Sequence, residues 1–337
     1  MHAGRHYTLR EVLTWTRRET FVFAALAAVP WLLDVVGVPV PSIPWQPIAV
    51  LGTAVAFITG FKSNAAYGRL WEARKIWGGI VNASRTWAVL VRDFDLRADA
   101  ANADAANASV ARRLIYRQIA WVTALRHQLR QERAWETTQF KHNVEFRENT
   151  FVVPERASSL EADLEGLVGA EDLAHVLGFR NRASALLDLQ SAELREMASK
   201  GSLTEYRHVE LARWIATCFD LQGRSERIKN FPYPRQFATL NLTFVWLFIG
   251  LVPFGMYSEL HAKAPGWAWL TIPFTLVVSW VFHTMDKIGE ASENPFEGGP
   301  NDVPITAMSR GIEIDLRELA GETDLPDPHT PTRNILL

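Results

Sequence analysis

The stretch FITGFKSNAAYGRLWEARKIWGGIVNASR, residues 57–85, begins inside an apolar run and becomes cationic and rich in tryptophan. No proline or cluster of turn-forming residues separates its two halves, so the pattern predicts one continuous helix. Arg69 and Glu72, and then Glu72 and Lys75, have the i, i+3 spacing of solvated pairs on a helix surface. The stretch therefore predicts a membrane helix that continues into water as a charged extension.

The composition of the chain is that of a protein divided between lipid and water. Its 337 residues carry a net charge of -2, and 48% of them are apolar while 21% are charged. A nucleic-acid-binding protein would show a clear basic excess, so the charge argues against that class. The single cysteine, Cys218, excludes an intramolecular disulfide framework and a zinc site built on cysteines.

Four apolar runs fall in two pairs near opposite ends of the chain, and each is long enough to cross about 30 Å of hydrocarbon. They are residues 21–40, 45–61, 237–257 and 266–283. Asp34 is their only charged residue, and tryptophans lie towards the run ends, as in an interfacial aromatic belt. The alternative is four buried helices of a soluble core, and a single charge among four such runs argues against it.

The first run could also be the apolar part of a secretory signal peptide, because Arg17 and Arg18 precede it. The charged leader is long, no clear small-residue cleavage site follows, and another apolar run comes at once. These features favour a retained membrane helix.

Lysine and arginine are distributed unevenly between the ends of the runs. The connection 34–46 has none, and the connection 258–265 has only Lys263. The flanks that face the other way carry Arg5, Arg10, Arg17, Arg18, Lys62, Arg69, Arg74, Lys75, Arg224, Arg227, Lys229, Arg235 and Lys287. The positive-inside rule then predicts that both termini and the long middle region are cytoplasmic and that the spans pair as two hairpins.

The middle region has helical signals and almost no strand-like alternation. Residues 98–109, ADAANADAANAS, are of low complexity and predict a solvated loop. Ser158 with Glu161 has the spacing of a capping box and predicts the start of a helix. A further helical stripe consists of Leu186, Leu187, Leu194 and Met197. The region is therefore expected to form a cytoplasmic helical bundle.

Two stripes run along the second apolar segment. Thr53, Phe57 and Phe61 stand at i, i+4 and i+8 and therefore share one face of the helix. A stripe of small residues precedes each of them by one position: Gly52, Ala56 and Gly60. That small-xxx-small pattern lets membrane helices approach closely. In a monomer the two phenylalanines would face lipid or the core, whereas around a symmetry axis they would build apolar rings that close by expelling water.

Three segments carry a resemblance to a known family. They are FKSNAAYGRLWEARKIWGGIVNASR (residues 61–85), LQGRSERIKNFPYP (221–234) and DKIGEASENPFEGGPNDVPI (286–305). In this order they resemble the bestrophin family in its bacterial branch. Residues 96–200 are similar to that family only in helical character.

The resemblance implies a pentameric ion channel with four membrane spans per subunit, a large cytoplasmic helical region and one axial pore. The three positions of the family's pore neck fall on Thr53, Phe57 and Phe61 of this chain. Thr53 departs from the usual aliphatic residue, so the outermost ring is expected to be wetter and wider. The family's lower constriction would lie within residues 203–226, where Tyr206 is the candidate.

The segment after the fourth run departs from the animal members of the family, which hold calcium with a run of carboxylates after Asn-Pro-Phe. Here Asn294, Pro295 and Phe296 are followed by Glu297, and Asp302 comes only after four uncharged residues. Calcium needs six to eight oxygen ligands, several of them anionic. We therefore expect no calcium site, no other metal and no cofactor, and interpret the motif as a structured linker.

Other candidate chemistry has simpler interpretations. His127, His142, and His208 with Glu210 have neither the spacing nor the neighbouring ligand residues of a metal site. His283 and Asp286 lie at i, i+3 and are expected to form an ordinary polar pair, and Cys218 lies in an apolar helical stretch typical of a core residue. Phosphate-binding loops, nucleophile motifs and paired catalytic carboxylates are missing from the sequence, so no enzyme is predicted.

The sequence thus predicts an all-α membrane protein with four transmembrane helices per subunit and a large cytoplasmic helical bundle. The expected assembly is a homopentamer around one axial pore in the bacterial inner membrane. The predicted divisions are a cytoplasmic N-terminal segment (1–20), the first hairpin with its helical extension (21–95), the cytoplasmic region (96–235), the second hairpin (236–287) and a cytoplasmic C-terminal segment (288–337).

The predicted function is passage of small monovalent ions without activation by calcium. Bacterial members of the family are associated with monovalent cations and animal members with chloride, so cations are the first interpretation and anions the alternative. A membrane-anchored scaffold or sensor without a conducting pore is the rival from another class. The expected partners are further copies of the chain, the lipid bilayer and the permeant ions.

Overall fold

The computed structural model describes residues 1–94, 103–137 and 140–337. Its described residues form helices and contain no strand, which confirms the all-α class for this part of the chain. A short 3₁₀-helix, Pro265–Leu270, precedes the eleventh α-helix. The α-helices are α1 (Leu9–Val35), α2 (Trp45–Asp93), α3 (Ala103–Arg130), α4 (Lys141–Thr150), α5 (Pro154–Ala157), α6 (Leu160–Leu164), α7 (Ala170–Leu177), α8 (Arg182–Ser199), α9 (Glu205–Asn230), α10 (Arg235–Lys263), α11 (Thr271–Ala291) and α12 (Ile305–Leu319).

Helix α2 is one uninterrupted element of 49 residues, as the opening stretch predicted. Its charged half is held by partners outside the helix. Arg227 of α9 donates to Glu72 at 2.7 Å, and Arg69 Nε donates to the backbone oxygen of Glu293 at 2.9 Å. The apolar and the charged ends therefore belong to one helix and not to two.

In the described part of the chain, three helical segments are long and apolar enough to cross a membrane: α2, α10 and the segment Pro265–Ala291. Helix α1 is not among them, because its last 18 residues include Arg18, Glu19 and Asp34. It ends five residues before the predicted first run does. Gly37 adopts φ +77°, and the amides of Gly37 and Val38 bond back to Asp34 and Leu33, which is a glycine-terminated helix end.

One compact unit, here the apolar unit, consists of Gly4–Arg69 and Pro232–Glu293. Within it α1, α10 and α11 pack against one another. Its core consists of Phe23, Ile48, Val55, Val245, Phe248, Ile249 and Val252. A β-carbon on Gly52 would lie 2.7 Å from the Phe248 ring, and one on Gly255 would lie 2.4 Å from Ile48 Cδ1. Glycine at both positions therefore allows α2 and α10 to pack at close range.

The second unit, here the bundle unit, consists of Met1–Ala3, Leu70–Phe231 and Asn294–Leu337. Helix α3 packs against α8, α9 and α12 around fully buried Trp77, Trp87 and Trp121. Two of the indole N–H groups find acceptors, since Trp87 donates to the Leu114 carbonyl and Trp121 to Gln222. The predicted stripe on α8 is confirmed, because all four of its members are buried: Leu186, Leu187, Leu194 and Met197.

The predicted solvated loop at residues 98–109 is wrong for its second half. Residues 98–102 lie outside the described part of the chain, whereas α3 begins at Ala103 and includes 103–109. Alanine is the best helix former, so the alanine-rich sequence extends the helix despite its low complexity.

The predicted capping box at Ser158 is also wrong, by one residue. Ser159 caps α6, and its hydroxyl accepts a hydrogen bond from the Ala162 amide at 3.2 Å. Ser158 instead closes the preceding helix α5, where its amide and its hydroxyl both donate to the Pro154 carbonyl. Spacing alone could not show that a short helix ends directly before the cap.

Candidate functional site

The predicted neck residues stand on the exposed face of α2. Phe57 and Phe61 are 65% and 71% exposed, and Thr53 is exposed as well. The Thr53 hydroxyl donates to the Ala49 carbonyl at 3.0 Å, so it presents a methyl group and an acceptor oxygen outwards. Neither phenylalanine belongs to the core of the chain, which removes one of the two interpretations that spacing left open for a monomer.

An open groove of about 860 Å³ follows this face within the apolar unit. Thr53, Phe57 and Phe61 line it together with Phe248 and Phe282. Of its lining side chains, those that can form hydrogen bonds through oxygen or nitrogen are Trp45, Thr53 and Asn64, and none is charged. The face is therefore largely apolar and uncharged, with a few polar side chains among the apolar ones.

The three small residues predicted as a packing stripe do not share one environment. Gly52 is buried against Phe248, whereas Ala56 and Gly60 are exposed beside the phenylalanines. No heavy atom lies within 4 Å of where a β-carbon on Gly60 would be. Inside the chain only Gly52 serves close helix packing, and a packing role for Ala56 and Gly60 remains a prediction about assembly.

The opposite face of α2 is buried and carries polar side chains among apolar ones. Val55, Thr59, Lys62 and Ala66 follow one another at steps of three and four residues, and each is at most 5% exposed. Lys62 Nζ donates to Asp286 Oδ1 of α11 at 2.6 Å. The expected pairing of Asp286 with His283 is corrected accordingly, since the Asp286 carboxylate accepts from Lys62 and from Asn241.

The His283 ring packs against aromatic side chains instead. It meets the rings of Phe23 and Trp246 edge-on at centroid distances of 5.3 and 5.6 Å. Sequence reasoning missed the Lys62–Asp286 pair because Lys62 was interpreted only as a positive flank of the span. A signal was available, because Lys62 and Asp286 each lie just after an apolar run. A charged side chain near the membrane is unstable without a partner, so each of them could have been expected to have one.

The candidate for the lower constriction, Tyr206, lies in the first turn of α9 and is 80% exposed. It shares its exposed stripe with Val209, which is 50% exposed. Tyr206 belongs to the bundle unit, whereas Phe57 and Phe61 belong to the apolar unit. An assignment of Tyr206 to a constriction remains a prediction.

The Asn-Pro-Phe segment is built into the core of the bundle unit. Phe296 is 1% exposed, and Asn294 is buried beside it. The Asp302 carboxylate accepts from the amides of Gly298 and Gly299 at 2.7 and 3.0 Å. The Glu297 carboxylate accepts from both the amide and the hydroxyl of Thr137. These hydrogen bonds tie the segment down, while Asp302 Oδ1 is buried without a hydrogen-bond partner.

Basic side chains of the protein stand beside these acids. Arg130, which is fully buried, lies 3.5 Å from Asp302 and 3.6 Å from Glu155, and Lys229 pairs with Glu136. Burial raises the pKa of Asp302, and it raises that of Glu297 to about 8 with a further contribution from Asp302. Among the described residues there is no group of three acidic, histidine or cysteine side chains placed to hold a metal ion.

The other candidates from the sequence have protein partners. His127 bonds to Asp163 at 2.7 Å, and Glu210 pairs with Arg213, while the side chain of His142 lies outside the described part of the chain. Cys218 is confirmed as a core residue: burial raises its pKa to about 12, and it contacts Gln118 at 3.6 Å. A thiol with that pKa is almost never ionised at neutral pH.

The model of the protein family described as bacterial/fungal bestrophin protein matches residues 9–318 of this chain. The chain therefore belongs to the bestrophin family, a family of ion channels, and the resemblance of its three segments is confirmed. Curated relatives are similar over nearly the whole chain. The voltage-dependent anion channel-forming protein YneE of Escherichia coli K12 is 27% identical over 318 residues, which are 94% of this chain and 89% of that protein.

A second relative, the voltage-dependent anion channel-forming protein RSc3414 of Ralstonia nicotianae, is 25% identical over 91% of this chain and 88% of its own length. Among solved structures, the bacterial bestrophin homologue from Klebsiella pneumoniae matches with a TM-score of 0.72 and 22% identity. That match covers 93% of this chain and 99% of the other. The fold described here is therefore that of a known bacterial bestrophin.

The raised pKa of Glu297 predicts a pH-dependent stability of the bundle unit. Between the ordinary value of 4.5 and about 8 the folded protein keeps a proton that the unfolded chain has released. The contribution of Glu297 to stability is thus complete below pH 4.5 and falls as the pH rises through 8. We expect the melting temperature to fall over this range and Glu297→Gln to flatten the curve.

The measurement is thermal unfolding of the purified protein at pH 5 to 8.5. Glu161→Gln, which changes an exposed carboxylate, serves as the control and should leave the wild-type profile unchanged. A Glu297→Gln profile parallel to that of the wild type would show that the carboxyl is ionised throughout this range.

Proposed function

We propose that copies of this chain form a homopentameric channel for small monovalent ions, with Thr53, Phe57 and Phe61 as the neck of its axial pore. The observation that carries the proposal is the exposure of two phenylalanines, one helical turn apart, on the stripe that the family resemblance predicts to be the neck. Five such pairs of rings around an axis make an apolar constriction that dehydrates a passing ion.

The polarity of the stripe supports a pore rather than a lipid-facing surface. Asn64 is exposed, lines the same groove and lies eleven residues after Thr53, which is about three helical turns. Polar groups thus stand on both sides of the aromatic pair on one face of α2. An amide pointing into hydrocarbon would lose its hydrogen bonds, whereas one that lines a pore keeps them with water.

The assembly is supported by the small residues that remain exposed on α2. Ala56 and Gly60 lie beside the two phenylalanines and leave room for a neighbouring helix. Small residues at such spacing let helix backbones approach closely in membranes. A second copy of α2 is the occupant we propose for this part of the groove.

The proposed topology has four spans, with α1 as the first. Phe21 is 75% exposed on α1, although the helix packs against α10 and α11 on its other side. Its flanking charge at Glu19 is paired with Lys287 at 2.9 Å, so it carries no isolated charge there. With the bias of lysine and arginine, this topology places both termini in the cytoplasm of a bacterial cell and the spans in its inner membrane.

For the permeant ion, we propose anions as the first candidate, because the curated relatives are named as anion channel-forming proteins. Cations are the second candidate, supported by the match to the bacterial/fungal branch of the family, whose bacterial members the resemblance associates with cations. The groove contains no charged side chain that would favour either class.

The ion class is tested by the reversal potential of the purified protein in a planar bilayer under a sodium chloride gradient. We expect a reversal potential close to the chloride equilibrium value. A value close to that of sodium would establish the cation channel, and protein that carries no current in any preparation would favour the scaffold or sensor.

The neck assignment predicts that both Phe57→Ala and Phe61→Ala increase single-channel conductance or open probability. Each change removes five rings from the constriction, so the pore stays hydrated, and alanine keeps the helix intact. Phe21→Ala is the matched control, because Phe21 is equally exposed but lies on α1. We expect it to leave the current unchanged.

The contrary outcome is also defined. If the two phenylalanines pack against protein in the assembled channel, their removal leaves a cavity and costs roughly 3–5 kcal/mol. Lower melting temperatures without added current for both variants would overturn the neck assignment.

Conduction should not depend on calcium, because Glu297 and Asp302 accept hydrogen bonds from protein donors and Asp302 stands beside Arg130. A calcium ion would have to displace several of these contacts to gain the anionic oxygens that it needs. We expect equal currents with a calcium chelator and with micromolar calcium. A reversible loss of current on chelation would show that this segment, or another, binds the ion.

A further inference from the structure

Four buried polar side chains join α2 to α10 and α11 within the apolar unit. Lys62 Nζ donates to Asp286 Oδ1 at 2.6 Å, and Asn241 Nδ2 donates to the same oxygen at 2.5 Å. The Thr59 hydroxyl donates to Asn241 Oδ1 at 3.1 Å. All four are at most 5% exposed. We refer to Thr59, Lys62, Asn241 and Asp286 as the polar clamp.

The clamp is placed to decide where the phenylalanines point. Successive residues of an α-helix are about 100° apart around its axis, so Lys62 is about 100° from Phe61 and about 140° from Phe57. When Lys62 points at α10 and α11, both rings must therefore point away from these helices. Their exposures of 65% and 71% agree with that geometry.

Apolar packing by itself would not select this rotation. Helix α2 carries apolar side chains on both faces, with Val55 buried and Phe57 and Phe61 exposed. Hydrophobic burial is non-directional and scales with area, so it would favour turning the larger aromatic face inwards. Hydrogen bonds are directional, and a buried charge that loses its partner is strongly destabilising. The polar contacts therefore oppose the rotation that apolar burial favours.

Close packing beside the clamp limits the movement of the helix as well. A β-carbon on Gly289 of α11 would lie 3.1 Å from the Ser63 hydroxyl and 3.5 Å from its Cα. The backbone of α11 thus approaches α2 directly next to Lys62. Gly289 sets the distance between the two helices, while the clamp sets the rotation of α2 about its own axis.

We propose that the polar clamp fixes the rotation of α2 and that Lys62 and Asp286 are positioning residues for the pore neck. The inference rests on the proposed function for its consequence in conduction, but the rotation itself can be measured without it. Neither residue touches a permeating ion in this arrangement, so both act through the orientation of Phe57 and Phe61.

The test uses Lys62→Met and a matched control in the same unit, Lys287→Met. Lys287 is buried to a similar degree and donates to Glu19 at 2.9 Å, but this pair joins α11 to α1 and leaves α2 untouched. Both variants remove a buried lysine and its ion pair, so both are expected to lower the melting temperature. Only Lys62→Met removes a member of the clamp.

The first readout is a double-mutant cycle on single-channel conductance in planar bilayers. Phe61→Ala is measured in the wild type, in Lys62→Met and in Lys287→Met. If the clamp positions Phe61, the gain from Phe61→Ala should shrink by a factor of about 3 or more in the Lys62→Met background, as for coupled neighbouring residues. The gain should be unchanged in the Lys287→Met background. Equal gains in all three backgrounds would overturn the inference.

The second readout is thiol labelling, which does not require current. Cys218 is the only native cysteine and is buried, so its background is low. In the full-length protein, Phe57→Cys should react faster with a maleimide than Val55→Cys, whose site is 1% exposed. In Lys62→Met that rate ratio should fall severalfold towards one, and in Lys287→Met it should not.

The two readouts separate the possible failures. If Phe61→Ala has no effect on current even in the wild type, the neck assignment fails, and the labelling ratio still decides the clamp. If Lys62→Met gives no folded protein, the reversed pair Lys62→Asp with Asp286→Lys replaces it. Recovery of the wild-type labelling ratio by the reversed pair supports positioning by the contact between the two side chains, and a ratio near one contradicts it.

Discussion

The contact between Lys62 and Asp286 is the constraint on which the arrangement of α2 depends. An ammonium group buried among apolar helices is stable only beside a counter-ion that is itself held in place, and Asn241 holds this one. Because the Lys62 side chain must point at Asp286, the face of α2 that carries Lys62 faces the interior of the unit. The remaining face, with two exposed phenylalanines, is turned away from that interior.

In the bundle unit, buried acidic side chains likewise have partners within the protein. Glu297 and Asp302 occupy the segment that holds calcium in the animal proteins that this chain resembles, yet here they accept hydrogen bonds from Thr137, Gly298 and Gly299. Arg130 stands 3.5 Å from Asp302. A carboxyl group that is tied down by backbone amides or a hydroxyl is a structural element rather than a ligand, since a metal would first have to break those bonds.

Some small residues of α2 lie in close packing within the chain, and others are exposed. Gly52 lets the ring of Phe248 approach within the chain, and Gly289 does the same for Ser63 at the other end of the span. Gly60 and Ala56 meet no such neighbour inside the chain. The same residue type thus serves close packing at Gly52 and stands exposed two helical turns later at Gly60.

Sequence periodicity was sufficient where one physical rule acts alone. The unbroken α2, the apolar lengths of α10 and α11 and the buried stripe of α8 followed from composition and spacing, and for residues 57–85 of α2 also from the absence of proline. Local rules failed where two elements compete for the same residues. Ser158 was taken by the end of α5, and residues 103–109 were drawn into α3 by their alanine content.

By itself, then, the sequence determined the helical class, the membership of the family and the stripe of Thr53, Phe57 and Phe61, because each depends on residue types at fixed spacing. Only the tertiary structure decided which face of α2 is buried. That choice is made by Asp286 and Asn241, which lie more than 175 residues further along the chain and meet Lys62 only after α10 and α11 have packed. Partners so far away in the sequence produce no pattern in the residues around Lys62. Their contact with Lys62 could therefore be seen only in the folded chain.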